Sequence, residues 1–265
     1  VIGTQQSAEW NRWFRRWKER AAKPELRVFC FPYAGGSANA FRAWSAAAPA
    51  TVELIAVQYP GHADRIAEAC MESIDGMSAA IASAYEQDEE VAAAFFGHSL
   101  GAVVAYEVAR RLEAQGRPPV ALIVSGRPAP QLDRGGAVHL LDEAGIFADM
   151  VRLGGTTPEL LDHTELRALL LPMLRSDYRL SETYRPVLEP KLRLPVMACF
   201  SERDPEVTES EARGWAAVTE GPFVLRAFGG DHFYLTAAYA HVVEAIVSFS
   251  NPKSPFSSSR GRTEP

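Results

Sequence analysis

The sequence predicts an α/β fold: a mostly parallel central sheet flanked by helices, with an inserted helical lid. Three observations carry this. Short apolar runs alternate with helical patterns along most of the 265 residues, the arrangement of a parallel sheet covered on both faces. One run, Val91–Phe96, is continuously apolar and leads through Gly97-His98-Ser99-Leu100-Gly101 into an amphipathic stretch. Finally, residues 131–190 hold no convincing strand, far more chain than one crossover needs.

The elements follow in order. Trp10-Asn11-Arg12-Trp13-Phe14-Arg15-Arg16-Trp17 is aromatic and basic, but no basic run follows it, so its rings are expected to pack onto the domain. Leu26–Phe31 reads as the first strand and Val52–Gln58 as the second. Val91–Phe96 is the third, buried on both faces. A helix is expected from Leu100 to Gln115, closed by Gly116, because glycine accepts the left-handed conformation of a helix end. Val120–Ser125, Val196–Ser201 and Phe223–Phe228 read as the fourth to sixth strands, and a helix over Thr236–Ser248 follows. The expected organisation is a core over 1–130, a lid over 131–190, the rest of the core over 191–250 and a disordered tail over 251–265. Within the lid, Leu160–Arg175 and Tyr178–Tyr184 read as helices, and Gly154-Gly155 as a hinge.

Composition narrows the function. Lys and Arg total 27 against 33 Asp and Glu, a net charge of −6, which argues against a nucleic-acid partner. No run of 18 apolar residues is present, so no membrane span is expected. The start, VIGTQQSAEW, lacks the basic and apolar regions of a signal peptide, which points to the cytoplasm. Cys30, Cys70 and Cys199 are odd in number and widely spaced, so buried free thiols are expected rather than disulfides or a zinc site. Nothing requires more than a monomer.

The chemistry centres on Gly97-His98-Ser99-Leu100-Gly101. Chance gives G-x-S-x-G in roughly one chain of this length in ten, so the match alone is moderate evidence. Its place between a strand and a helix is what a nucleophile elbow demands. The turn is tight enough to exclude side chains at Gly97 and Gly101, while Ser99 is strained with its hydroxyl exposed.

A serine hydroxyl needs a base. In this architecture the order is serine, acid, histidine, which removes His62 and His98. His139 and His163 lie in the lid and His241 in the last helix. His232 follows the last strand and is the expected base. Asp204, after the fifth strand and before Pro205, is the expected acid, with Asp231 and Glu202 as competitors. An oxyanion needs backbone donors. Leu100 N–H, at the start of the helix, is one. The loop Phe31-Pro32-Tyr33-Ala34-Gly35-Gly36-Ser37 supplies the other: Ala34 N–H, with Tyr33 N–H as the alternative. No metal-ligand spacing is present.

These segments resemble the type II thioesterases of polyketide and nonribosomal peptide biosynthesis, within the α/β-hydrolase superfamily. The resemblance runs through Phe29–Gly36, Tyr59-Pro60-Gly61, Gly97–Gly101, Leu174-Arg175-Ser176-Asp177-Tyr178 and Gly230–Leu235, spanning residues 10–250. It implies an enzyme that clears acyl groups from the phosphopantetheine arm of carrier domains, without a cofactor. It also implies a Ser99, Asp204 and His232 triad. Leu100, Tyr33 and Asp231 stand where Met, His and Gly are frequent in that family. The alternatives are a small-molecule carboxylesterase with the same triad and a non-catalytic hydrolase-fold binding protein.

Overall fold

The computed structural model describes residues 7–17, 23–86, 88, 90–132, 135–157, 159 and 162–251. Seven strands form one sheet: β1 (Phe14–Arg15), β2 (Leu26–Phe31), β3 (Val52–Val57), β4 (Ala92–His98), β5 (Ala121–Ser125), β6 (Val196–Ser201) and β7 (Phe223–Phe228). Their spatial order is β1-β3-β2-β4-β5-β6-β7. All neighbours are parallel except β1 and β3.

The six expected strands are all present, three with the expected bounds and three with ends moved by a residue or two. β1 is an addition. Two residues are too few to show a period, and they sit inside the aromatic stretch. Pairing of Phe14 with Val57 places that stretch on the sheet edge. Trp10, Trp13 and Phe14 are buried, so the aromatic rings do pack onto the domain.

The α-helices in chain order are α1 (Ala8–Trp13), α2 (Trp44–Ala47), α3 (Ile74–Ala84), α4 (Leu100–Ala114), α5 (Glu143–Leu153), α6 (Thr164–Thr183), α7 (Glu209–Arg213), α8 (Tyr234–Ala237) and α9 (Tyr239–Ser250). Helix α3 is not among the expected elements, although its signals are local. Ser73 accepts the Gly76 N–H as an N-cap, and Ile74, Met77 and Ile81 share its buried face. The last helix begins at Tyr234 rather than Thr236 and is split in two at Ala238.

The sheet separates two apolar layers. One packs Phe29, Phe31 and Phe95 against α3 and α4, and the other packs Val28, Cys30 and Phe96 against α2 and α9. In α4, Leu100 to Ala109 are all buried. A helix apolar on every side is one enclosed by the core.

Between β5 and β6 the chain builds α5 and α6. The two helices expected over 160–175 and 178–184 are one. α6 runs unbroken from Thr164 to Thr183 through Pro172, and Leu160 lies outside the described residues. Gly154 closes α5 in the left-handed conformation. Ile146, Phe147, Met173 and Leu174 form a separate small core joining the two helices. Cys30 and Cys199 are buried free thiols, whereas Cys70 is partly exposed. Residues 252–265, most of the expected disordered tail, lie outside the described residues. Among the described residues, no helix is long and apolar enough to cross a membrane.

Candidate active site

Ser99 sits at the junction of β4 and α4 with φ 53° and ψ −117°. Such backbone costs a side-chain-bearing residue about 1–3 kcal/mol. Main-chain crowding enforces it. A Cβ on Gly97 would lie 2.1 Å from the Gly101 carbonyl oxygen, and one on Gly101 would lie 2.1 Å from that of Phe31. Ser99 N–H donates to Ser125 O at 2.8 Å, fixing the elbow to β5.

His232 stands in the loop between β7 and α8, and Asp204 in the loop after β6. His232 Nδ1 is 2.9 Å from both carboxylate oxygens of Asp204. His232 is 1% exposed and Asp204 8%. Glu206 N–H donates to Asp204 Oδ1 at 2.8 Å. The two loops are also tied where the Ser201 hydroxyl donates to Gly230 O. The competitor Asp231 is turned to its own backbone, accepting Phe233 N–H at 2.9 Å. Ser99 and His232 line one cavity of about 600 Å³. Among the described residues no hydrogen bond joins the Ser99 hydroxyl to His232, so the structure links Asp204 with His232 directly and Ser99 with them through the shared cavity.

The loop after β2 borders the same cavity through Tyr33, Ala34 and Gly35. Two of its amides are engaged. Gly36 N–H closes on Tyr33 O at 2.8 Å, and Gly35 N–H donates to Asp177 Oδ2 at 2.7 Å. Tyr33 and Ala34, the residues of the two expected amide donors, both border the cavity. Leu100 N–H opens α4, where an amide has no intrahelical acceptor.

His98, excluded by chain order, has a structural place. It is fully buried, its Nδ1 is 2.8 Å from Ser125 Oγ, and Ser125 Oγ is 2.6 Å from Tyr234 OH. Its ring centroid lies 4.8 Å from that of His232. Burial, and the charge of His232 beside it, push its pKa well below the ordinary histidine value. It is therefore a neutral ring packed against His232.

Helices α5 and α6 wall the cavity with Asp149, Met150, Arg152 and Leu153, and with Tyr178, Ser181 and Glu182. Arg152 bridges Asp149 and Glu206 at 2.7 Å each, joining α5 to the Asp204 loop. Tyr178 OH donates to Asp149 at 2.8 Å. Sequence alone does not single out Arg152 or Glu206, because their pairing spans 54 residues and follows no local pattern.

A thioesterase-domain family model matches residues 26–253. The chain belongs to the thioesterase family. Thioesterase PikA5 of Streptomyces venezuelae is 44% identical over 236 residues, covering 88% of this chain and 84% of that protein. Among solved structures, the type II thioesterase BorB of the borrelidin cluster superposes with a TM-score of 0.82. It is 38% identical, over 94% of this thioesterase and all of BorB. RedJ, the thioesterase of the prodiginine pathway in Streptomyces coelicolor, gives a TM-score of 0.78 at 33% identity, covering 87% and 95% of the two chains. The fold of the thioesterase is thus the α/β-hydrolase fold, and its reaction is thioester hydrolysis.

Proposed function

We propose that this thioesterase edits a polyketide or nonribosomal peptide synthase, as a cytoplasmic monomer. It removes acyl groups from the phosphopantetheine arm of the synthase's carrier domains. The observation that carries the mechanism is the buried Asp204–His232 pair opening onto the same cavity as the strained Ser99. The similarity to BorB and PikA5 supports the substrate class.

Each group has a role. Asp204 keeps the Nδ1 proton on His232, so that Nε2 is free to act as base. His232 takes the Ser99 proton as the hydroxyl attacks the thioester carbonyl. Leu100 and Ala34 N–H groups hold the oxyanion. The carbon–sulfur bond then breaks, and His232 passes the proton to the departing thiol. Water attacks the acyl-serine with His232 again as base, releasing the acid and restoring Ser99. A cavity of about 600 Å³ is of the size that holds small ligands. Residues 131–190 serve as its lid, with α5 and α6 gating entry.

The test is hydrolysis of an acyl-phosphopantetheinyl carrier domain, the matching acyl-coenzyme A and a p-nitrophenyl ester, by wild type and Ser99→Ala. The expected result is fastest cleavage of the carrier substrate and loss of all three activities in the variant. Cleavage of the oxygen ester alone would overturn the carrier assignment. Full activity in Ser99→Ala would overturn the mechanism.

A further inference from the structure

Outside the site just described, one ion pair among the described residues is buried on both sides and has no role so far. Asp177 lies in α6 and His62 in the loop after β3. Both are 1% exposed. A carboxylate is costly to bury unless it is paired and hydrogen-bonded. Asp177 meets both conditions through a single oxygen. Its Oδ2 accepts the Gly35 N–H at 2.7 Å and faces His62 Nε2 at 2.9 Å.

The proton count follows from the partners. His62 Nδ1 is 2.9 Å from Pro60 O, and a carbonyl oxygen only accepts, so Nδ1 carries a proton. Nε2 faces an oxygen already accepting from Gly35. Both ring contacts are hydrogen bonds when His62 is an imidazolium and Asp177 a carboxylate. Burial works against that charge, but the Asp177 charge and hydrogen bond outweigh it, and the pKa of His62 is raised.

The neighbours complete a frame under the loop after β2. Tyr59 OH donates to Pro32 O at 3.2 Å, and Ala38 N–H donates to Gln58 Oε1 at 3.1 Å. Gln58 Nε2 in turn donates to His62 O at 3.0 Å. The loop is therefore held at its start, its turn and its end. Of these three holds, only the turn is held from α6. Ala34, next to the Gly35 amide that Asp177 holds, lines the cavity.

The geometry points to Asp177 and His62 as a positioning pair for catalysis. Together they fix the Gly35 turn, and thereby aim the Ala34 N–H at the oxyanion, only while α6 is seated. This rests on the reading of Ala34 as an oxyanion donor. The groups facing His62 are Asp177 from α6, Arg65 and Tyr59 from its own loop, and Cys70 beyond Gly61. Burial raises the pKa of both Tyr59 and Cys70, so neither competes for the proton.

The test compares Asp177→Asn, His62→Gln, Ser99→Ala and wild type in the full chain, on an acyl thioester and a p-nitrophenyl ester. Circular dichroism and a melting curve accompany the kinetics. In Asp177→Asn the kcat is expected to fall about 10- to 100-fold, part of the loss seen when an oxyanion donor is deleted, with KM within about twofold of wild type. His62→Gln keeps Asp177 and its bond to Gly35. It is expected to lose less kcat and to lose the alkaline limb that His62 deprotonation gives wild type. A folded Asp177→Asn with wild-type kcat, or with a loss confined to KM, overturns the proposal. If Asp177→Asn does not fold, His62→Gln decides: wild-type kcat and an unchanged pH profile overturn it. Ser99→Ala separates the two readings. An inactive Ser99→Ala beside a fully active Asp177→Asn removes the pair's role and leaves the serine mechanism standing. An active Ser99→Ala removes both.

Discussion

Asp204 presents both carboxylate oxygens to His232 Nδ1 at 2.9 Å, while Glu206 N–H holds one of them. This pins down what a minimal change does. In Asp204→Asn the Glu206 amide retains one oxygen, and the new amide NH₂ replaces the other beside Nδ1, where a donor favours the histidine proton on Nε2. That tautomer cannot accept from Ser99. The expected fall in kcat is about 10⁴-fold, with a melting temperature close to wild type. Steady-state kinetics on the acyl thioester check it, and a loss under tenfold counts against the triad.

Gly101 admits no side chain, because the nearest atoms to its missing Cβ are main-chain atoms of Phe31 and Pro32. Gly101→Ala is expected to cost about 3 kcal/mol or more, seen as a fall of about 6 °C or more in melting temperature. Gly229→Ala is the control, since nothing lies within 4 Å of its Cβ position. It should stay within about 0.5 kcal/mol.

Two buried histidines give stability opposite slopes against pH. The pKa of His98 is depressed in the fold, so its contribution is present above 6.5, the ordinary value, and is lost as pH falls below it. The pKa of His62 is raised. Its contribution is full below 6.5 and is lost as pH rises through the folded value. Melting curves across pH should show His98→Gln flattening the acid side and His62→Gln the alkaline side. If either variant flattens the opposite side, that histidine carries the other protonation state in the fold.

Arg152 and Glu206 join α5 to the loop that carries Asp204, with side chains 47% and 36% exposed. Solvent screens such a pair, so a double-mutant cycle should give a coupling of about 1 kcal/mol or less. The larger effect is expected on entry. Arg152→Ala should change KM for a carrier-bound substrate more than the melting temperature, and added salt should shrink the difference from wild type. Equal KM values in both proteins at low salt would argue against this contact gating the cavity.

Much of this molecule is legible in its sequence, for local reasons. The strand before Ser99 is apolar throughout because β4 is covered on both faces, and the elbow glycines are dictated by contacts with the adjoining turn and strand. Asp204 and His232 stand out by their places after β6 and β7. The features that do not stand out lack such locality. β1 is two residues long. α6 reads as two helices because Ser176 and Asp177 interrupt its apolar pattern, and the reason for Asp177 lies 142 residues away at Gly35. The order of a triad excludes His62 as the base. That order says nothing of a histidine whose partner is a different carboxylate.

The contact of Gly101 with the carbonyls of Phe31 and Pro32 has a consequence for how this enzyme can change. It seats α4 directly on the end of β2, so the spacing between the Ser99 turn and the Ala34 loop is written in main chain. The cavity, by contrast, is lined by side chains such as Met150, Leu153 and Phe233. Drift or directed evolution can therefore redraw the range of acyl groups accepted while the reacting geometry stays inherited.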